Sequence, residues 1–418
     1  MISMLPKKYC GLLFYISLLC SNTLSAGIVT GITVEPMQLC AESSQLSVIT
    51  GNKIIPLTGN PVQNIILLRY ADTDLTPVVF QVDQKNSEDR YVLDEIPRDN
   101  IFDKNDELVF STVDAGKKLP EKFPAWQQYE LLEIEIKQRA SDQSRWLYAT
   151  VLQDQQQLSA DSSIRYDKTS DEVMTNGFKI GFSTDTPFLV DSFQWKTHGN
   201  NNWSPDLTDM MKIRHQGKFL GYLNFERNQD DYTSTLTAVK EGPLRIIRRT
   251  ENRIRVLWKL KTPSLDIDYV ISPDGFIMDT RIDIPINVGL FFSDLETLTT
   301  MDWNDDPQLL PLTIISSAIL SPLPDKGYMS VEKEAFNTLM ENHFSVHSSD
   351  GNLWVSLDVP EDFPIQYWLY LRDDLDEADD PEHYAGQFGN VGFRTTQWEK
   401  IDTEAHHLKF SVCVQPIH

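Results

Sequence analysis

The chain has 418 residues, 41% of them hydrophobic, which is enough for two domains or for one large β domain. Its 61 acidic and 37 basic side chains give a formal net charge of −24. This surplus of acid argues against nucleic acid or an anionic membrane surface as a partner, because both would repel the chain. It fits an exported protein that uses cations.

Residues 1–26 have the layout of a secretory signal peptide. Lys7 and Lys8 form its basic start, residues 11–19 its apolar stretch and Leu24-Ser-Ala26 its cleavage site. No later stretch approaches the roughly 18 apolar residues of a membrane span. We therefore predict a periplasmic, secreted or cell-surface protein with no membrane span after removal of the signal.

Two of the four cysteines, Cys10 and Cys20, fall inside the predicted signal. An exported chain would keep Cys40 and Cys413, which lie near its opposite ends. In an oxidising compartment this pair predicts a disulfide that joins the two ends. The alternative is two buried free thiols, because the sequence does not show whether the two backbones come within the roughly 7 Å that the bond requires.

Residues 27–152 alternate short apolar strands with turn residues, which is typical of a β-sandwich of immunoglobulin-like size. The clearest alternation puts Leu132, Ile134 and Ile136 on one face of a strand and charged residues on the other. Predicted strands lie at residues 45–49, 64–70, 78–82, 108–110, 130–137 and 146–152.

Residues 153–167 are polar, with little to bury, and we predict a linker there. Residues 168–418 would form a second, larger sandwich, so the predicted fold class is all-β with two antiparallel sandwich domains. One helix is expected after Ser330, with Glu332 and Glu334 in its first turn. Predicted strands of the second domain include residues 178–182, 219–225, 353–359, 367–371 and 408–414.

Residues 239–285 have the pattern of an antiparallel meander that begins with the most basic run in the chain. Turn chemistry would place Asp268 opposite both Lys259 and Arg281. The predicted turns lie at residues 250–252, 262–265 and 274–275.

Four arginines would share one face of this meander with few acids opposite them. They are Arg245, Arg249, Arg253 and Arg255. The face is a candidate anion-binding site with two possible occupants. Either the acidic loops of the chain fold over it, or a carboxylate-bearing ligand or partner does.

A loop rich in oxygen ligands precedes the apolar strand at residues 108–110. Calcium takes six to eight oxygens from carboxylates, amides and carbonyls, so the composition suits it. The spacing is not that of an EF-hand, and the alternative is a solvated turn. The candidate ligands are Asp99, Asp103, Asn105, Asp106 and Glu107.

Trp203 and Trp303 lie in polar stretches and are candidate exposed platforms for stacking on sugar. Trp258 and Trp354 lie within strand patterns, and we expect them to close the core. No nucleophile elbow, zinc motif, redox Cys pair or phosphate loop is present. Paired carboxylates need closeness in space rather than in sequence, so a carbohydrate-active enzyme stays an alternative.

Four segments resemble a group of uncharacterised exported bacterial proteins: 77–83, 102–110, 241–249 and 386–392. The segment Gly242-Pro-Leu-Arg-Ile-Ile-Arg248 at the start of the meander also resembles mutarotase-like sandwiches of carbohydrate-processing proteins. Neither resemblance implies a catalytic residue. We predict a non-catalytic envelope protein that binds carbohydrate or a protein partner, the alternative being an enzyme that uses Asp and Glu of the second domain.

Overall fold

The computed structural model of the protein describes the greater part of the chain. The described residues are 30–34, 45–93, 99–120, 129–137, 143–152, 162–197, 202–304, 312–317, 320–323, 329–374 and 387–416. The predicted signal peptide and Cys40 lie outside these ranges, so the disulfide stays a prediction. Cys413 is buried. In the described ranges, no helix is long and apolar enough to cross a membrane.

Eight strands are described between residues 30 and 151. They are β1 (Thr30–Val34), β2 (Leu46–Thr50), β3 (Ile65–Ala71), β4 (Asp74–Pro77), β5 (Phe80–Asp83), β6 (Glu107–Ser111), β7 (Leu132–Lys137) and β8 (Ser144–Val151).

These strands form a sandwich of two sheets, with the orders β1-β7-β8-β3-β4 and β2-β6-β5. The pairings are antiparallel, apart from the parallel pair of β1 with β7. Inward residues such as Leu67, Phe110 and Ile134 are fully buried between the two sheets. The alternation along β7 therefore predicts its buried face correctly.

Nineteen further strands are described. They are β9 (Ile164–Asp167), β10 (Glu172–Thr175), β11 (Phe178–Phe182), β12 (Val190–Trp195), β13 (Thr208–Phe219), β14 (Leu223–Arg227), β15 (Tyr232–Lys240), β16 (Ile246–Leu257), β17 (Leu260–Lys261), β18 (Leu265–Ser272), β19 (Gly275–Ile282), β20 (Phe292–Trp303), β21 (Leu312–Ile315), β22 (Leu320–Leu323), β23 (His343–His347), β24 (Gly351–Asp358), β25 (Gln366–Asp374), β26 (Gln387–Thr396) and β27 (His406–Pro416).

Three sheets of these strands share one apolar core. Their orders are β12-β11-β10-β9, then β14-β13-β20-β26-β25, and a ten-stranded sheet β15-β16-β18-β19-β27-β24-β23-β21-β22 with β17 paired to β16. Ile180, Tyr269 and Phe393, one from each sheet, all belong to that core. The predicted all-β class with antiparallel sandwiches is confirmed.

The predicted linker at 153–167 overlaps the first strand of this second group. Ile164 and Tyr166 of β9 are buried in the shared core. Residues 164–167 are therefore part of a sheet, and residues 153–161 lie outside the described ranges.

The stretch 219–225, predicted as one strand, is interrupted by a turn. Phe219 pairs with Leu223 across a three-residue turn, so the stretch is the tip of the β13–β14 hairpin. Gly221 sits in that turn with a φ of 78°, a conformation that glycine adopts without steric cost.

The predicted meander exists, but its register is different. The strand β16 runs straight through the turn expected at 250–252, and it places Arg249, rather than Lys259, opposite Asp268. The next turn lies at Pro273-Asp274, because Ser272 pairs with Gly275. Asp268 therefore lies opposite another acid, Asp279, instead of Arg281.

The predicted helix begins directly after Ser330, as expected. Helix α1 spans Val331–Phe336, and the Ser330 hydroxyl accepts a hydrogen bond from the Lys333 backbone N–H. The buried Lys333 ammonium pairs with the buried carboxylate of Asp373 on β25. Short 3₁₀ turns include Gly51–Lys53, Ile55–Leu57, Val62–Asn64, Thr112–Asp114, Gln229–Asp231, Val288–Leu290 and Trp398–Lys400.

Candidate functional site

An apolar cavity lies between the five-stranded sheet that contains β13 and the ten-stranded sheet. It is found at the end where β13 turns into β14 and β16 turns into β17. Its volume is about 400 Å³, within the range of roughly 300–1,000 Å³ usual for small-molecule sites. Ile213 of β13 and Ile254 and Val256 of β16 line it, and the core residues Phe393 and Phe410 line it as well.

The cavity exists because short side chains occupy inward positions on both sheets. Thr297 and Thr299 of β20 and Thr395 of β26 line it from one sheet, and Thr280 of β19 lines it from the other. A threonine fills less volume than the Ile, Leu and Phe that meet elsewhere in the core. The two sheets therefore pack closely in the core and leave a space at this end.

Most of the lining is aliphatic or aromatic, and among the described residues it contains no Asp or Glu. Leu260, Ile286 and Phe291 line the cavity and are also exposed. The cavity is therefore open to solvent, and these side chains mark its mouth. Lys261, also exposed, is the one basic member of the lining among the described residues.

A neutral polar pair lies in the inner lining. Nε2 of His215 is 2.6 Å from the Tyr232 hydroxyl, and its Nδ1 is 2.8 Å from the Thr297 hydroxyl. Burial lowers the pKa of His215 to about 4, although the nearby Asp231 acts to raise it. Burial also raises the pKa of Tyr232. Both groups are uncharged at neutral pH, so the lining around them carries no formal charge.

Arg245, the first of the four predicted arginines, is buried in an ion cluster of the chain. Its guanidinium pairs with Asp83 of β5 and Glu107 of β6, and the Lys240 ammonium lies 2.6 Å from Asp83. Burial alone would raise the pKa of Asp83, but Arg245 and Lys240 outweigh it and lower that pKa to about 2. The cluster therefore joins the first sandwich to the ten-stranded sheet.

Arg249 is held by two parallel hydrogen bonds. Its Nε and Nη2 each lie 2.7 Å from an oxygen of Asp268, and Nη2 also donates to the Tyr91 carbonyl. Burial raises the pKa of Asp268, and Arg249 counteracts that effect.

Arg253 and Arg255 are exposed and contact acids of their own sheet or an adjacent turn. Arg253 Nη2 lies 2.8 Å from Glu251, and Arg255 Nε lies 2.8 Å from Asp231. Acids of the chain therefore contact all four predicted arginines.

The acids of the second half also line a separate charged pocket of about 250 Å³. Asp268 and Asp279 lie there as cross-strand neighbours. Asp268 is paired with Arg249, and Asp279 lies 2.8 Å from His407 Nδ1. Asp268 therefore joins β18 to β16 through Arg249, and Asp279 joins β19 to β27 through His407.

In the loop predicted to bind calcium, several side-chain oxygens already bond to other groups of the chain. Asp106 accepts hydrogen bonds from the backbone N–H groups of Lys85 and Asp103, at 2.7 and 2.8 Å, while Glu107 pairs with Arg245. Over the described ranges, no group of three or more His, Cys, Asp or Glu is placed to hold a metal. Calcium stays a prediction for the set Asp99, Asp103, Asn105, Asp106 and Glu107.

The expected exposure of Trp303 is wrong, because it ends β20 inside the shared core and is only 4% exposed. Trp203 is partly exposed. The ammonium groups of Lys179 and Lys196 lie 4.6 and 4.3 Å from its ring centre, so two cations already cover it.

The two tryptophans expected in the core are exposed instead. Trp258 is 92% exposed, because the pairing of Leu257 with Leu260 leaves it at the tip of a hairpin. Trp354 lies on the outward face of β24, whose buried residues are its neighbours Leu353 and Val355.

The cavity was not predicted from the sequence, although one signal was present. Residues 284–291, which precede β20, contain no charged residue, which is unusual for a connection on a surface. Four of them line the cavity: Ile284, Ile286, Val288 and Phe291.

No family model and no curated protein matches the chain. It is similar to solved structures of low identity. An α-mannosidase from Enterococcus faecalis V583 is 9% identical, with a TM-score of 0.42 over 87% of this chain and 39% of that one. A galactose mutarotase-like protein from Lactobacillus casei ATCC 334 is 10% identical, with a TM-score of 0.33 over 58% of this chain and 98% of that one.

A glycosyl hydrolase family 38 protein from Enterococcus faecalis is 8% identical, with a TM-score of 0.41 over 88% of this chain and 42% of that one. The chain thus spans about two fifths of the length of the mannosidase.

Proposed function

We propose that the protein is an exported, non-catalytic binding protein whose ligand is an apolar chain, such as the acyl chain of a fatty acid or lipid. The observation that carries the proposal is the solvent-open cavity of about 400 Å³ between the two sheets, with its apolar, acid-free lining. A largely apolar concavity with a few fixed polar groups is the usual form of a small-molecule site.

The uncharged state of the inner polar pair favours this class of ligand. A charged imidazole in the lining would attract a carboxylate or phosphate into the interior. His215 is instead neutral and bonded to Tyr232 and Thr297. The inner cavity therefore offers mainly hydrophobic contact, which is worth about 0.8 kcal/mol for each buried CH₂ group.

The cavity gives less support to a carbohydrate ligand or to an enzyme. Glycoside hydrolysis needs two carboxyl groups beside the substrate, and the described lining has none. A sugar ring in this lining would leave several hydroxyls without hydrogen-bond partners, at roughly 1–3 kcal/mol each. A carbohydrate or protein partner would therefore bind elsewhere on the surface.

The experiment is displacement of a fluorescent fatty-acid analogue by hexadecanoic acid, measured on the wild type and on two matched variants. Val256 and Leu257 are neighbours on β16, but only Val256 lines the cavity. Val256→Trp should fill the space and weaken binding at least tenfold, because an overpacked site excludes the ligand. Leu257→Trp, which introduces the same side chain outside the cavity, should bind within about twofold of wild type.

Circular dichroism melts of both variants check that each is folded before binding is compared. Two results would contradict the proposal. One is no saturable binding to the wild type. The other is equal binding to the two folded variants, which would place the ligand outside the cavity.

A further inference from the structure

Exposed apolar side chains are concentrated around the mouth of the cavity. Thirteen large hydrophobic side chains are exposed among the described residues, and eight of them lie in three short segments. We call these segments the collar. They are residues 220–223 at the β13–β14 turn, 258–260 at the β16–β17 turn, and 286–291 before β20.

Contacts between the segments hold them at one end of the sandwich. The Leu220 backbone N–H donates to the Phe291 carbonyl at 2.7 Å, which joins the first segment to the third. Arg227 Nε, on the strand that follows the first segment, lies 2.6 Å from the Arg255 carbonyl on the strand that precedes the second. Leu260 and Phe291 both line the cavity mouth.

Two collar residues are held in a conformation that large side chains rarely adopt. Leu220 has a φ of 52° and Trp258 a φ of 41°. Trp258 is the first residue of a two-residue hairpin, a position that favours glycine. A bulky residue with such a positive φ costs of order 1–3 kcal/mol. Trp258 gains little from packing in return, since it is 92% exposed. A large apolar side chain at a strained, solvent-facing tip indicates a contact outside the chain.

The charge around the collar differs from that of the whole chain. The stretches 217–227, 257–261 and 284–294 hold four basic and two acidic side chains, in a protein of net charge −24. Lys218 Nζ lies 2.6 Å from the neutral Asn224 side-chain oxygen. The basic residues are Lys218, Arg227, Lys259 and Lys261, and the acidic ones are Glu226 and Asp294.

We propose that the collar docks on the surface of a phospholipid bilayer, from which the apolar ligand passes into the cavity. This inference rests on the proposed function. Apolar and aromatic tips enter the boundary between headgroups and acyl chains, and cations at the same level meet headgroup phosphates. The repulsion expected from an anionic surface follows from the net charge of the whole chain, whereas the stretches around the collar hold four basic and two acidic side chains.

The test is flotation of the protein with phosphatidylcholine vesicles. Trp258 and Leu290 are exposed collar residues that do not line the cavity. The double variant Trp258→Asn/Leu290→Ser should reduce the vesicle-bound fraction at least fivefold. The matched variant Trp354→Asn/Val331→Ser, which removes two exposed apolar side chains outside the collar, should float like wild type.

Binding of the fluorescent fatty-acid analogue in the absence of vesicles separates this inference from the proposed function. Both double variants should bind it like wild type, because neither changes the lining. Lipid docking is overturned if the wild type does not float, or if the two double variants float equally. Sedimentation velocity without lipid tests whether the collar instead binds a second copy of the chain. A wild-type dimer that the collar variant dissociates would overturn docking on a bilayer in favour of that dimer.

Discussion

Nε2 of His215 lies 2.6 Å from the hydroxyl oxygen of Tyr232, inside a lining that is otherwise mostly apolar. The pair joins β13 of one sheet to β15 of the other, across the sandwich. Because both groups are uncharged, they satisfy each other's hydrogen-bonding needs without bringing a charge into the cavity. The site can therefore stay apolar and still have a fixed polar contact between its two walls.

The pair predicts a specific loss of stability in acid. The pKa of His215 is about 4 in the folded chain, against an ordinary value of 6.5. Between pH 6.5 and 4 the unfolded chain binds a proton that the folded chain does not, so the free energy of unfolding falls as the pH falls. The loss from this residue should be about 3 kcal/mol once the pH is below both values. Urea unfolding at several pH values measures it, and His215→Gln should flatten this part of the curve. An unchanged curve would contradict a neutral imidazole at His215.

The arginines predict a contrast between a buried and an exposed ion pair. Arg249→Gln leaves Asp268 buried without its bidentate partner, and should lower the free energy of unfolding by about 3 kcal/mol. Arg255→Gln removes a pair whose arginine is half exposed, and should cost less than about 1 kcal/mol. Urea unfolding at pH 7 compares them. Equal losses of stability would show that the Arg249–Asp268 pair contributes no more than the exposed Arg255–Asp231 pair.

Replacing Trp258, at the strained β16–β17 turn, should make the protein more stable and weaken its binding to lipid. Asparagine tolerates a positive φ better than tryptophan does, so Trp258→Asn should raise the free energy of unfolding by roughly 0.5–1 kcal/mol. The same variant should float less with vesicles. Leu257→Asn, one residue earlier in the strand and outside the turn, should give no such gain. A destabilised Trp258→Asn variant would show that the tryptophan packs on the protein.

The cavity predicts a dependence on chain length. Each CH₂ group added to a fatty acid should tighten binding about three- to fourfold while space remains, since about 0.8 kcal/mol is gained per buried group. The gain should stop once the volume of about 400 Å³ is filled. Displacement titrations with acids of increasing length measure this. If affinity keeps rising with chain length, the acids adsorb to the collar or form micelles instead of filling a cavity of limited volume.

Strand faces could be read from the sequence, but strand register could not. A period of two fixes which side chains share a face, and it is satisfied equally by any shift of an even number of residues. The observed register of β16 with β18 differs from the predicted one by such a shift. The polar run at 250–252 suggested a turn, whereas Asn252 is fully buried and its amide bonds to Thr250 inside the sheet.

The candidate site could not be predicted, because its position follows from the strand register and from the distance between the two sheets. The alternating pattern predicts that the strand continues past Trp258 to a turn at 262–265, whereas the chain turns at Trp258 and Lys259, which exposes the tryptophan. The cavity arises where threonines of β19, β20 and β26 meet across the sandwich. Each threonine is unremarkable in its own strand, so only the tertiary arrangement reveals the space.

Native mass spectrometry after incubation with hexadecanoic acid measures whether the cavity holds one acyl chain. The wild type and Leu257→Trp should each carry one bound acid per chain, and Val256→Trp should carry none under the same conditions. A wild type without an adduct would show that the cavity does not bind the acid. A folded Val256→Trp variant with the same single adduct would show that the acid binds elsewhere.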